Sequence, residues 1–316
     1  MLVLFGLSGT GLVAADLQVR EDAVAGCWTI FEGEQPVLVY RYKTQEPPAG
    51  FLAEVHPDNL KYARERSDYI HPLYSLSGQV LTRDWPVDHP HHRGIYWAWP
   101  EVEYDGVSGD LHALQRVFAR PAGQCHGRVA PESAWLEARN HWLWDDKIPV
   151  VLETARIRVW QQKDDGRAID LEFTLEALVG GVTLARRETT LYGGLNLRFA
   201  SIEQQEIFRY TGPDAGSLRE TWADIAGVFP GAEGEEGVTI LQHPDNPDYP
   251  GDWVEYPELN WVQPTFPQSG RRYALMQGEP LVLRYRLWLH RRRFGEEDLR
   301  RVWRSYLATV PPLVRH

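Results

Sequence analysis

The stretch from Ile169 to Ala177 alternates without a break. Ile169, Leu171, Phe173, Leu175 and Ala177 are apolar, and Asp170, Glu172, Thr174 and Glu176 between them are polar. A period of two suits a strand with one dry face and one wet face, because a helix would scatter both kinds of residue around its axis. The same alternation returns in Leu281, Leu283, Tyr285, Leu287 and Leu289. Val151 to Trp160 reads as another strand. Asp164-Asp165-Gly166 turns it into the alternating one, and Gly180-Gly181 turns the chain on into Val182 to Leu191. Those three strands predict an antiparallel meander. Further strands are expected near 27–31, 36–41, 94–99, 113–120, 134–144, 195–200, 221–227, 236–242 and 271–277.

One helix is expected near the end. Glu296, Glu297 and Asp298 place negative charge at its start, where the helix dipole favours it. Leu299, Val302, Trp303 and Tyr306 then recur at helical spacing, and Pro311-Pro312 stops the run. That stripe is read as packing against a sheet. The segment from His243 to Pro267 is rich in proline and carries Tyr249, Trp253, Tyr256 and Trp261, so a long ordered loop is expected there. Many strands, one helix and 43% hydrophobic residues predict an all-β fold: a large antiparallel β-sandwich of one domain over residues 16–316, with a C-terminal helix.

Residues 1–15 contain no charge and end in Val13-Ala14-Ala15, the pattern of a secretory signal peptide. The expected location is therefore exported, either periplasmic or extracellular. Elsewhere no stretch is long and apolar enough to span a bilayer. A net charge of −11 argues against nucleic acid as the partner. Cys27 and Cys125 are the two cysteines, and spacing leaves their pairing open, as composition leaves the oligomeric state open.

The chemistry concentrates in Asp88-His89-Pro90-His91-His92-Arg93-Gly94, which runs straight into the strand-like Ile95-Tyr96-Trp97-Ala98-Trp99. Three imidazoles, a carboxylate and a guanidinium on a loop anchored by a strand are how a rigid scaffold presents a site. His91 or His92 would serve as acid or base. Arg93 would stabilise an oxyanion, and Asp88 would support them. A metal is the alternative use of the same residues. His89 and His91 at i and i+2 point the same way in extended backbone, with His71, His112 or His243 as a third ligand and His243 the one favoured. One divalent ion would suffice, and acid–base chemistry would require no cofactor. No P-loop, dinucleotide glycine motif or GxSxG elbow is present.

Thirteen tryptophans exceed what a core needs, and an indole face stacks on the apolar face of a pyranose. Trp85, Trp253 and Trp261, with Tyr96, His71 and His243, are the expected ligand-binding residues. Trp97 and Trp99 share one strand face and are both core if that face turns inward. The expected partner is a small carbohydrate.

Several segments together resemble a bacterial family labelled PmoA. They are Tyr69 to Ser75, Asp84 to Gly94, Tyr192-Gly193-Gly194-Leu195, and Gly237-Val238 through His243-Pro244-Asp245-Asn246-Pro247. The resemblance covers most of residues 25–310, and its label implies a methane oxygenase. The order of parts is also similar to the galactose-mutarotase-like supersandwich, in which His91-His92-Arg93-Gly94 would match an early histidine–glycine segment. The mid-chain Tyr192-Gly193-Gly194 lacks the histidine of that pattern, and the late acid would be Glu255 or Glu258. The expectation is thus a carbohydrate-active protein using histidine-centred acid–base catalysis. A non-catalytic carbohydrate-binding module and a metal-dependent oxygenase are the alternatives.

Overall fold

A computed structural model describes residues 16–163, 166–212 and 219–309. The proposed signal peptide and Pro311-Pro312 lie outside the described residues, as do Asp164 and Asp165 of the expected turn. Two large antiparallel sheets face each other. One has eight strands and the other nine, with a further four-stranded sheet beside them. The alternating segment is the strand Gly166–Ala177, and its apolar residues are buried while Asp170, Glu172 and Thr174 are half-buried. It pairs with Ile148–Trp160 on one side and with Leu281–His290 on the other. Both neighbours turn their apolar residues the same way, so Ile157, Phe173 and Tyr285 meet Ile30, Tyr40 and Trp97 of the facing sheet in one continuous core. The wet face of these strands is tied by ion pairs between Asp170 and Arg286 and between Glu172 and both Arg156 and Arg284.

The expected meander is shifted by one strand. Ser133–Trp144, Ile148–Trp160 and Gly166–Ala177 are the consecutive antiparallel set. The next strand, Val182–Ala185, leaves this sheet and pairs with Arg272–Leu275 and Glu101–Tyr104 in the four-stranded one. It also ends early. A short 3₁₀ turn, Arg187–Thr189, follows it, with Glu188 at a φ of 52°. Residues 243–267 are not one loop either. They contain a hairpin of Trp253–Tyr256 and Trp261–Pro264, which extends the edge of the eight-stranded sheet.

The helix Glu296–Thr309 forms as its spacing predicts. Leu299, Trp303 and Tyr306 are buried against Trp222 and Leu241 of the nine-stranded sheet, in a cluster separate from the main core. Cys27 is buried, Cys125 is half-buried, and both are free thiols.

Candidate functional site

The strand Ile95–Ala98 lies inside the eight-stranded sheet. Alternation sends its side chains to two different places. Trp97 faces the sandwich core, its ring 4.0 Å from that of Phe173, and its indole donates to Glu153 at 2.6 Å. Tyr96 faces the opposite way, and its hydroxyl is 3.0 Å from Nε2 of His112. Trp99, beyond the strand, is also core and donates to the carbonyl of Phe266.

The loop before this strand is closed at its neck by a bridge between Asp84 and Arg93. Gly94 accepts from the Arg198 amide and donates to the Arg83 carbonyl, which locks the loop onto the sheet. Within the loop the amide of His92 donates to the carbonyl of His89 at 2.9 Å, a turn at Pro90. This turn overrides the expected strand-like alternation. Instead of His89 and His91 sharing a face, the neighbours His91 and His92 converge. Their rings are 4.6 Å apart, and His112 joins them at 5.0 and 5.5 Å. One ring nitrogen from each of the three lies within 4.8 Å of the others.

Arg66 brings His112 to the loop. Its guanidinium is almost wholly buried and donates to the carbonyls of His91, Leu111 and His112, so one cation stitches the two histidine-bearing segments together. It also stacks over the Tyr96 ring. Sequence reading missed Arg66, because a lone arginine in a polar stretch shows no pattern.

These residues form the floor of a cavity of about 340 Å³ lined by Asp88, His89, His91, His92, His112, Tyr62, Arg187, Tyr192, Tyr256 and Trp261, with Asn59 and Leu259 at its edge. A second, more open cleft of about 640 Å³ continues from it, sharing Tyr62, Arg187 and Tyr192. Trp261 is nearly buried, with Tyr256 stacked on one side at 5.2 Å and His92 against it at 4.9 Å. Its indole therefore backs the wall. The partly exposed aromatic rings are those of Tyr62, Tyr192 and Tyr256. Their role was not read from sequence, because single tyrosines in loops resemble any other surface tyrosine.

Electrostatics sets the state of the floor. Burial drives His91, His92 and His112 well below the ordinary imidazole range, and the charge that each would place on its neighbours lowers them further. His92 and His112 are each 1% exposed, and the downward direction shared by all three rings keeps them neutral at neutral pH. The Nδ1 atoms of His91 and His92 are shielded from solvent and have no hydrogen-bond partner. At the mouth, His89 is different. Its side chain is 40% exposed and its Nδ1 is 3.0 Å from Asp88 Oδ2. Asp88 also accepts from Arg198 at 2.9 Å, and the His89 hydrogen bond and Arg198 hold its carboxyl below the usual range. Arg187 is paired with Asp110 at 2.5 Å.

Several expected site residues lie elsewhere. Arg93 is 0% exposed, packs over Trp85 and bonds to Asp84 and the Arg64 carbonyl, so it braces the loop and does not line the cavity. Trp85 packs with Phe51 and Val55 beneath that loop. His71 is tied to Thr82 through its Nδ1. His243 sits against Tyr306 of the C-terminal helix, its Nδ1 accepting from the Asp245 amide, and so cannot join His89 and His91 as a ligand. Trp253 donates to Thr221 away from the cavity. Glu255 pairs with Arg209. None of these positions is wrong for an aromatic or a histidine. Tertiary contacts hold each of them away from the cavity.

A family model described as a family of unknown function (DUF6807) matches residues 28–304 of this chain. No curated protein matches it. Among the described residues no helix is long and apolar enough to cross a membrane.

Proposed function

We propose that this chain, which belongs to that family of unknown function, is an enzyme acting on a carbohydrate or sugar derivative in the cavity above His91, His92 and His112. The carrying observation is the facing of unlike walls. Tyr62, Tyr192 and Tyr256 offer partly exposed rings to the cavity, while His91, His92 and His112 offer it a cluster of imidazoles. A ring with one apolar face and a periphery of hydroxyls matches that division. The adjoining cleft past Arg187 and Tyr192 extends the match to a second sugar unit. The paired large antiparallel sheets are also in keeping with the galactose-mutarotase-like supersandwich, and the apolar start of the chain with export.

In this reading His89 is the acid–base group. It is exposed enough to meet substrate, and Asp88, itself anchored by Arg198, fixes its ring through Nδ1. An oriented imidazole is the general arrangement for moving a proton at a glycosidic or ring oxygen, or at a carbon beside a carbonyl. The buried histidines are the reading's second contribution. Being neutral, they accept hydrogen bonds or bind an electrophile without repelling it.

The test is a panel of monosaccharides, uronic acids and disaccharides, scored first by intrinsic fluorescence and then by NMR for product. A binding and reacting sugar is expected. Tyr256→Ala should weaken binding by up to about tenfold, the worth of one aromatic stacking contact. His89→Ala should lower kcat by about 10²–10⁴ with binding nearly unchanged. Turnover that survives His89→Ala would remove the acid–base assignment. Binding without turnover would make the chain a carbohydrate-binding module, and silence across the panel would end the reading.

A further inference from the structure

We infer that His91, His92 and His112 form a binding site for one divalent transition-metal ion, of the zinc class, with its open coordination positions facing the cavity. This rests on the histidine cluster itself and stands whether or not the cavity takes a sugar.

Three imidazoles in mutual contact need an explanation. Packing alone does not supply one, because two of the rings keep a buried Nδ1 without any partner. Buried polar atoms normally find partners, and each unpaired one costs about 1–3 kcal/mol. A cation held through those Nδ1 atoms would satisfy that deficit. The donor set also selects the class of ion. Neutral imidazole suits zinc, iron, copper or nickel, whereas calcium and magnesium need oxygen ligands.

The geometry fits with little movement. Tetrahedral zinc with Zn–N bonds of 2.0–2.1 Å separates its ligand nitrogens by about 3.4 Å. The three nitrogens here lie within 4.8 Å of one another, so against that spacing the rings need to close by at most about 1.4 Å. Tyr96 holds His112 at Nε2, and Arg66 fixes the backbone of both His91 and His112. Three protein ligands with the remaining positions open are the pattern of a catalytic site, since structural zinc sites close all four.

The charge balance then identifies the fourth ligand. The carboxylates lining the cavity and its adjoining cleft are engaged: Asp88 by Arg198 and His89, Asp110 by Arg187, and Glu101 by Arg272. None is left to offset the two positive charges of the ion. The remaining ligand is therefore anionic, either hydroxide or an oxyanion of the substrate. A carboxylated or otherwise acidic sugar is favoured over a neutral one.

The test uses untagged full-length protein purified without a metal-charged resin. Elemental mass spectrometry after dialysis should find about one equivalent of a transition metal per chain. After chelator stripping, Co²⁺ alone should develop visible d–d bands that saturate at one equivalent. His112→Ala and His91→Ala should each abolish the bands, while His243→Ala, outside the cluster, should keep them. Melting curves of the stripped proteins show which variants fold, and either folded variant is sufficient. Wild-type protein that retains no metal and gives no Co²⁺ bands would overturn the site. So would bands that persist in a folded His91 or His112 variant. The sugar panel repeated on stripped protein reads the carbohydrate proposal separately, because stacking on Tyr256 does not need the ion.

Discussion

Asp68→Asn and Glu153→Gln each neutralise one member of a buried acid pair, yet their effects on stability are expected to differ by several kcal/mol. Glu153 is 0% exposed and lies in the middle of the sandwich core. It accepts from Trp97 Nε1 at 2.6 Å and Trp142 Nε1 at 2.7 Å, one on each carboxylate oxygen, and from Asn140 at 3.4 Å. Asp68 is 4% exposed, accepts from Tyr40 at 2.8 Å and is hydrogen-bonded to Glu153. Burial pushes both carboxyls up, and the charge of Glu153 pushes Asp68 further. The donors around Glu153 pull it back, so the shared proton belongs to Asp68. Asparagine at 68 reproduces that state, accepting from Tyr40 and donating to Glu153. It also tolerates the left-handed φ of 67° at this position. Below about pH 4, where Asp68 carries its proton in the folded and the unfolded chain alike, the expected loss is within about 1 kcal/mol.

Glutamine at 153 must instead aim an N–H at one of two indole N–H groups. That leaves a buried donor unsatisfied, about 1–3 kcal/mol, and removes charge-assisted bonds worth about 1.5–3 kcal/mol. A loss of about 3–5 kcal/mol is expected in urea unfolding at pH 7, followed by far-UV circular dichroism. The pH dependence has a definite sign. A carboxyl raised in the folded state binds more protons folded than unfolded, so its contribution is complete below the ordinary Asp value near 3.9 and is lost as pH rises toward the folded value. Wild type should therefore lose ground to Asp68→Asn by up to about 1.4 kcal/mol per pH unit in that window. Equal losses from the two substitutions, or a gap that widens in favour of wild type with rising pH, would refute the placement of the proton.

Two further outcomes follow from single contacts. Gly94 has a φ of +48°, and a methyl group there would lie 2.3 Å from the Ile70 carbonyl and 2.9 Å from His71 Cβ. Gly94→Ala should cost about 2–4 kcal/mol from the left-handed backbone and the clash together, and a urea midpoint equal to wild type would contradict this. The Cys125 thiol is pushed up to about 12 by burial and nearby carboxylates. Its alkylation by iodoacetamide at pH 8 should be about a thousandfold slower than that of a free thiol with a pKa near 8.5, and rapid labelling of the native protein would show that the site opens readily.

Much of the architecture was legible because it depends on local periodicity. The strands Gly166–Ala177 and Leu281–His290 and the helix Glu296–Thr309 sit where spacing put them, since each buries one face and the pattern of that face is written in consecutive residues. The hairpin of Trp253–Tyr256 and Trp261–Pro264 was hidden by the prolines around it. Val182–Ala185 pairs outside the sheet that its preceding turn suggests, because a glycine turn does not say which sheet the next strand will join.

The amino-acid sequence by itself determined an all-β chain with a loop dense in titratable groups at Asp88–Gly94, since composition and periodicity are properties of neighbours along the chain. Only the tertiary structure decided what those groups do. Pro90 turns His91 and His92 together, and Arg66 draws His112 in from a distant loop. The fold buries all three rings until they are neutral, while Arg93 and His243 are committed to other partners. Convergence in space and loss of solvent set the chemistry of a histidine, and neither is encoded in its immediate neighbours.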